Sequence, residues 1–237
     1  MDAIQTLKKW VDESKRIVFF GGAGVSTESG IKDFRSADGL YSQKFPFPPE
    51  VIISRKFYDY RTEDFFQFYR ENMLCLGYLP NVTHKKLAQW EEEGKLSAVV
   101  TQNIDGLHQL AGSKRVLELH GSIYRNYCTA CGKFHTAEFM KNCRNIPRCS
   151  CGGIVKPDVV LYDEILNVNT VNESIRAIEE ADMLIVAGTS LTVYPAAAYI
   201  SCFSGRHLVL INRDETLYDN TADLLIRKSL GSVFSEL

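Results

Sequence analysis

No apolar run in this 237-residue chain approaches the length needed to cross a bilayer. Residues Met1 to Trp10 lack the apolar centre and small-residue cleavage site of a secretory signal. A cytoplasmic location is therefore expected, with the seven cysteines reduced and no membrane partner. An excess of either charge is missing too: 27 Lys and Arg face 29 Asp and Glu, a net charge of −2. A broad electrostatic grip on nucleic acid needs clustered positive charge, so direct nucleic-acid binding is not expected. Internal repeats and low-complexity tracts are absent. With 45% hydrophobic and 24% charged residues, the composition is that of a globular chain and excludes a disordered tail or a collagen-like protein. The length suits one large domain, or one plus a small insert.

What is present is a series of short, fully apolar runs: Ile17–Phe20, Ala98–Val100, Val116–Leu119, Val159–Leu161, Met183–Ala187 and Leu208–Ile211. Without polar alternation, such runs predict strands covered on both faces, as in a parallel sheet. Helical patterns lie between them at Thr83–Glu93, Val171–Glu180 and Tyr194–Phe203. The alternation predicts an α/β fold with helices on both faces of the sheet. Two stretches break the rhythm. Residues 41–80 open with a Pro-rich turn and predict a helix carrying Phe65, Phe68, Tyr69, Met73 and Leu76 on one face. Residues 124–156 hold five of the seven cysteines and few branched apolar side chains, so a metal would substitute for a core. The expected organisation is a large domain of residues 1–40, 81–123 and 157–237. A small domain of 41–80 and 124–156 combines a helical and a metal-binding module.

Cys128-x-x-Cys131 precedes Cys149-x-Cys151, and glycines flank both pairs. Tight turns let four thiolates converge on one tetrahedral Zn²⁺, which leaves no open coordination position, so the ion is structural. Cys143 is a weaker fifth candidate. Cys75 and Cys202 lie on apolar helical faces and read as core residues. A DNA-binding zinc ribbon is the rival reading, but Arg125, Lys133, Lys141, Arg144 and Arg148 are scattered rather than clustered.

The first strand ends in Gly21-Gly22-Ala23-Gly24-Val25-Ser26, and glycines at that place let backbone approach a phosphate. Alone this is a weak signal, and no acidic residue closes a second strand about 20 residues on, as a dehydrogenase requires. The continuation is specific. Gly22 to Arg35, reading GAGVSTESGIKDFR, closely resembles the first signature of the sirtuin family. Thr101-Gln102-Asn103-Ile104-Asp105, His120-Gly121, the four cysteines, Gly188-Thr189-Ser190 and Ile211-Asn212-Arg213 follow in the family's order and cover the whole chain.

Sirtuins are NAD-dependent protein lysine deacylases with a Rossmann-like large domain and a small zinc domain. The resemblance implies NAD as co-substrate and one structural zinc. Gly22, Ala23, Gly24 and Ser26 would hold the pyrophosphate, with Arg35 adding charge and Phe34 shielding the nicotinamide ribose. Gln102 and Asn103 would lie near that ribose, and Ile104 and Asp105 on the carboxamide. Gly188, Thr189 and Ser190, expected to open a helix, would meet phosphate or adenosine ribose, and Asn212 and Arg213 the adenosine. His120, at a strand's carboxyl end, would be the general base. The other four histidines read as packing residues. An acyl-lysine peptide would add as a strand between Val160, Tyr162, Asp163 and Glu164 on one side and Val193 on the other. Its acyl oxygen would attack ribose C1′ as nicotinamide leaves, yielding free lysine and 2′-O-acyl-ADP-ribose. Two residues depart from the family: Lys32 replaces the usual Pro, and Asp163 the usual Gly. One branch of the family reads acidic acyl groups with a Tyr-x-x-Arg pair. Here Phe66 and Tyr69 occupy those places, so neutral acyl groups are expected. Transfer of ADP-ribose to protein, or NAD hydrolysis, is the alternative in the same pocket. A zinc-ribbon module that only senses NAD is a weaker one.

Overall fold

A computed structural model describes residues 2–34 and 39–237 and has nine strands among the described residues. They are β1 (Ile17–Gly21), β2 (Leu96–Thr101), β3 (Val116–Glu118), β4 (Gly121–Cys128), β5 (Phe134–His135), β6 (Val155–Val159), β7 (Met183–Ala187), β8 (His207–Ile211) and β9 (Leu224–Ile226). Six of them form one sheet in the order β3-β2-β1-β7-β8-β9, every pair parallel. The order reverses between β1 and β7, which opens a crevice at their carboxyl ends. Every residue of β1 and β7 is buried because both faces are covered. Alternation sends Ile17 and Phe19 toward Leu7, Leu87, Trp90 and Phe234, and Val18 and Phe20 toward Ile178 and Ile200. That two-sided cover is why these strands read as unbroken apolar runs.

The second sheet, β5-β4-β6, is small and antiparallel. Its buried residues Ile123, Cys128 and Val155 share one apolar cluster with Phe57, Phe65, Phe66 and Tyr69 of the helical excursion. The two excursions therefore complete each other's core. β4 and β6 run across positions 123/124 and 156/157, where the sequence pattern changes.

Three local expectations are corrected. The run Val159–Leu161 is not a strand of the parallel sheet. The strand is Val155–Val159, antiparallel to β4, and Val160–Leu161 continue past it; so short an apolar run does not reveal its partner. The long helix through Phe65 to Leu76 is instead a succession of short helices, Pro49–Ile52, Arg55–Tyr60 and Thr62–Phe68, closed by a wide π turn at Tyr69–Met73. Ser54 caps the second, its Oγ accepting from Phe57 N at 3.2 Å. Finally, Tyr194–Phe203 contains a 3₁₀ helix only, Ala196–Cys202. Ser190 therefore does not open a helix, and Thr189 N donates to Asn212 Oδ1 at 3.1 Å instead.

Candidate active site

The loops after β1 and β7 interlock at the order reversal. Gly24 N donates to Gly188 O at 2.8 Å. A Cβ on Gly24 would lie 2.8 Å from Gly188 Cα, and one on Gly188, where φ is +59°, would lie 2.6 Å from Val25 N. Only glycine tolerates this approach on both sides. The loops floor a cavity of about 710 Å³, within the range of cofactor pockets. Every cofactor, catalytic and peptide residue named from the sequence lines it, apart from Arg35, which lies outside the described residues. Asn212 turns a buried Nδ2 without a protein partner in this region, a donor left for a ligand.

At the carboxyl end of β2 the polar motif is internally paired. Ser26 Oγ donates to Asp105 Oδ2 at 2.6 Å, Asn103 Nδ2 donates to Ser26 Oγ at 3.1 Å, and Leu107 N donates to Asp105 Oδ1 at 2.9 Å. Burial raises the Asp105 pKa above the usual carboxylate value, and the bonds from Ser26 and Leu107 oppose it. Gln102 Nε2 donates to Thr189 Oγ1 at 3.1 Å and joins this motif to the loop after β7.

His120 follows β3. Its Nδ1 lies 3.0 Å from Gln102 O. A carbonyl only accepts, so Nδ1 carries the proton and Nε2 is left with a lone pair. Burial lowers the His120 pKa below its ordinary value, against a smaller raising by the Gln102 carbonyl. The ring is thus neutral and basic at neutral pH. Beyond it, Val160 N donates to His120 O at 3.0 Å. The segment Val160–Glu164 is pinned from the helical excursion: Tyr162 N donates to Ile53 O and Arg55 N to Tyr162 O. Glu164 Oε2 accepts from Leu161 N at 2.9 Å and Lys156 Nζ at 3.1 Å. Asp163 sits in the left-handed region with φ +71°, a conformation that Asp tolerates better than most residues.

Two site features escape the sequence reading. Met73, Leu74 and Cys75 form part of the cavity wall, although Cys75 reads as a core residue. Burial, with the Asp105 charge behind it, pushes the Cys75 thiol up to about 12, so it stays protonated. Asp214, Glu215 and Thr216 extend the lining past Arg213; their adjacency to Asn212 is the only signal in the sequence. Conversely, Phe66 and Tyr69 are fully buried in the apolar cluster and do not reach the wall.

The four cysteines gather at the far end of the small sheet, with all their sulfurs within 4.8 Å of one another. The Sγ separations of 3.4 Å (Cys128–Cys151 and Cys131–Cys151) and 3.8 Å (Cys131–Cys149) fit the roughly 3.8 Å edge of a tetrahedron with Zn–S of about 2.3 Å. Left-handed Gly132 and Gly152 make the turns. Cys143 is not part of the group.

Residues 22–195 match the Sir2 family. The NAD-dependent protein deacetylase of Clostridium acetobutylicum is 60% identical over 237 residues, spanning 98% of this chain and 97% of that protein. A solved Sir2 with a p53 peptide and NAD⁺ superposes with a TM-score of 0.87 at 36% identity, covering 100% of this chain and 97% of the other. The Sir2Tm structure with a propionylated peptide gives 0.86 at 35% identity, covering 98% and 96%. With this match and the interlocked glycine loops, the paired Ser26–Asp105 motif and the four-cysteine centre, the chain belongs to the Sir2 family of NAD-dependent protein deacetylases.

Proposed function

We propose that this chain uses NAD and one water to remove neutral acyl groups, acetyl and its longer homologues, from protein lysines, giving nicotinamide, 2′-O-acyl-ADP-ribose and free lysine. The observation that carries the reading is His120: a neutral ring on the cavity wall whose Nδ1–H is committed to Gln102 O, which leaves Nε2 as a base. Bound NAD supplies a ribose C1′ that accepts the acyl oxygen as nicotinamide departs. Gly22, Ala23, Gly24 and Ser26 hold the pyrophosphate through the backbone approach that their loop permits. Gln102 and Asn103 orient the nicotinamide ribose, and Ile104 and Asp105 the carboxamide. Thr189, Ser190, Asn212 and Arg213 meet the adenosine half. Phe34 keeps water from the reacting carbon. His120 Nε2 takes a proton from a ribose hydroxyl, and the Gln102 carbonyl then steadies the positive ring. The peptide adds as a strand along Val160–Glu164, opposite Val193, so its backbone supplies affinity with little sequence demand.

Preference for neutral acyl groups rests on the wall. The helical excursion contributes Met73, Leu74 and Cys75, together with the polar Gln43, Glu71 and Asn72, but, among the described residues, no Arg or Lys. A succinyl carboxylate entering there would meet no cation on this wall and would face the acidic Glu71. The zinc, held by Cys128, Cys131, Cys149 and Cys151, is structural, since four thiolates fill its coordination.

Mass spectrometry of an acetyl-lysine peptide, with and without NAD and beside His120→Ala, tests the reading. Acetyl loss only with NAD, appearance of O-acetyl-ADP-ribose and no turnover by the variant are expected. NAD consumption with the peptide still acetylated would instead indicate ADP-ribosyl transfer or NAD hydrolysis. Succinyl-lysine turnover equal to that of acetyl-lysine would overturn the acyl preference.

A further inference from the structure

The turn Asp105–Gly106 is held from within by the bonds of Ser26 and Leu107 to Asp105 and by Leu110 N donating to Gly106 O at 3.0 Å. It follows β2, lies in no strand, and Gly106 is left-handed with φ +69°. On its outer side the turn is met by β4, through two consecutive residues. Ile123 N donates to Ile104 O at 3.0 Å. The ring of Tyr124 lies directly over Gly106: a Cβ placed there would be 2.7 Å from Cε2 and 2.9 Å from Cδ2. Tyr124 is half-exposed and does not line the cavity, so the ring covers the turn from outside while Asp105 faces in.

We propose that Tyr124 is a positioning residue for the nicotinamide end of the site, its ring bracing the Asp105–Gly106 turn so that the Asp105 carboxyl stays dry and aimed. The inference rests on the deacylase reading above. The Asp105 carboxyl holds its bonds from Ser26 and Leu107 in a buried setting. Water reaching it through an uncovered Gly106 would compete for those bonds and loosen the carboxamide contact. Adenosine and peptide contacts lie on other loops and are untouched by the ring. The contact with Gly106 is made by ring carbons, so the hydroxyl is dispensable.

The test compares wild type, Tyr124→Ala and Tyr124→Phe in the acetyl-peptide assay, with nicotinamide as inhibitor and thermal melts as the control for folding. Tyr124→Ala should weaken nicotinamide inhibition and raise the KM for NAD by about tenfold, with the KM for peptide within about twofold of wild type. Tyr124→Phe should restore both within about twofold. Gly106→Ala should be less harmful in the Tyr124→Ala background than in wild type, because the collision is gone. Should Tyr124→Ala lose its melting transition, Tyr124→Thr, which keeps strand propensity, carries the same expectation. Unchanged nicotinamide inhibition, equal loss for peptide and nicotinamide, or failure of Tyr124→Phe would each overturn the assignment. An inactive wild type would instead overturn the deacylase reading.

Discussion

Acid should destabilise this protein through two histidines that never touch the cavity. His84, in the first turn of helix Val82–Glu92, and His108, on helix Leu107–Ala111, are buried with ring centroids 4.7 Å apart. Burial lowers His84 to about 4 and holds His108 well below 6.5, the neighbouring His84 adding to it. In the unfolded chain both titrate near 6.5. Between pH 6.5 and 4 the unfolded state therefore binds more protons, and stability is present above that window and lost as pH falls through it. For His84 the gap from about 6.5 to about 4, at 1.36 kcal/mol per pH unit, comes to about 3 kcal/mol. His108 acts in the same direction. That is a large part of the roughly 5–15 kcal/mol of a typical domain. Protonation also reaches the cofactor loop. His84 Nδ1 accepts from Asn81 N at 3.3 Å, and Asn81 Nδ2 donates to Val25 O at 2.8 Å and Ser29 Oγ at 3.0 Å. The assay is urea unfolding at pH 7, 5.5 and 4.5 for wild type and His84→Asn, which keeps an acceptor near the Nδ1 position but does not titrate. At pH 7 the variant should be weaker by about 1–2 kcal/mol from lost packing. The gap should close by pH 4.5, because titrations common to both proteins cancel in the difference. Parallel stability curves across the three pH values would refute the reasoning.

His120 predicts a rate profile of its own: kcat/KM should fall on the acid side with a midpoint below 6.5, since burial favours the neutral ring. A midpoint above 7 would mean that the ring is not the base. Removal of zinc by a strong chelator should cost at least about 3 kcal/mol, or about 10 °C in melting temperature, because the small sheet has little core apart from the shared cluster; calorimetry with and without metal decides it. Gly188→Ala should raise the KM for NAD at least about tenfold, as its Cβ would strike Val25 N at 2.6 Å; steady-state kinetics with unchanged NAD affinity would reject that. Asp163, exposed on the peptide segment, should favour Lys or Arg beside the acyl-lysine by about 1 kcal/mol or less; equal preference in wild type and Asp163→Gly would remove it from the selectivity.

What could be read from the sequence follows from how local each constraint is. Met183–Ala187 stands out because a strand covered on both faces needs five apolar residues in a row, and the flanking Gly188 marks its end. Cys128, Cys131, Cys149 and Cys151 stand out because ligand spacing is itself a local geometry. Val155–Val159 was hidden for the opposite reason. Its partner β4 lies about 30 residues away, and Lys156, Pro157 and Asp158 dilute its apolar pattern. The role of Met73, Leu74 and Cys75 in the cavity wall was hidden too. An apolar side chain facing a ligand pocket and one facing a core are the same in sequence, and only the π turn at Tyr69–Met73 decides which way they face.

The same distinction between local and distant constraints explains why a metal centre without open coordination belongs in this enzyme. β4 begins at Gly121, next to His120, and ends at Cys128, a zinc ligand. At its start the chain crosses β6 so closely that a Cβ on Gly121 would lie 1.9 Å from Asp158 O. Arg125, midway, donates to Glu118 of β3 at 2.5 Å and to Asp158 of β6 at 2.7 Å, which ties the edge of the large sheet to the small one. Val160, just past β6, is bonded to His120 O. One eight-residue strand thus carries a zinc ligand at one end and ion pairs in its middle, and its other end borders His120 and Val160. Zinc bound at the four cysteines would stiffen this strand at the end away from His120.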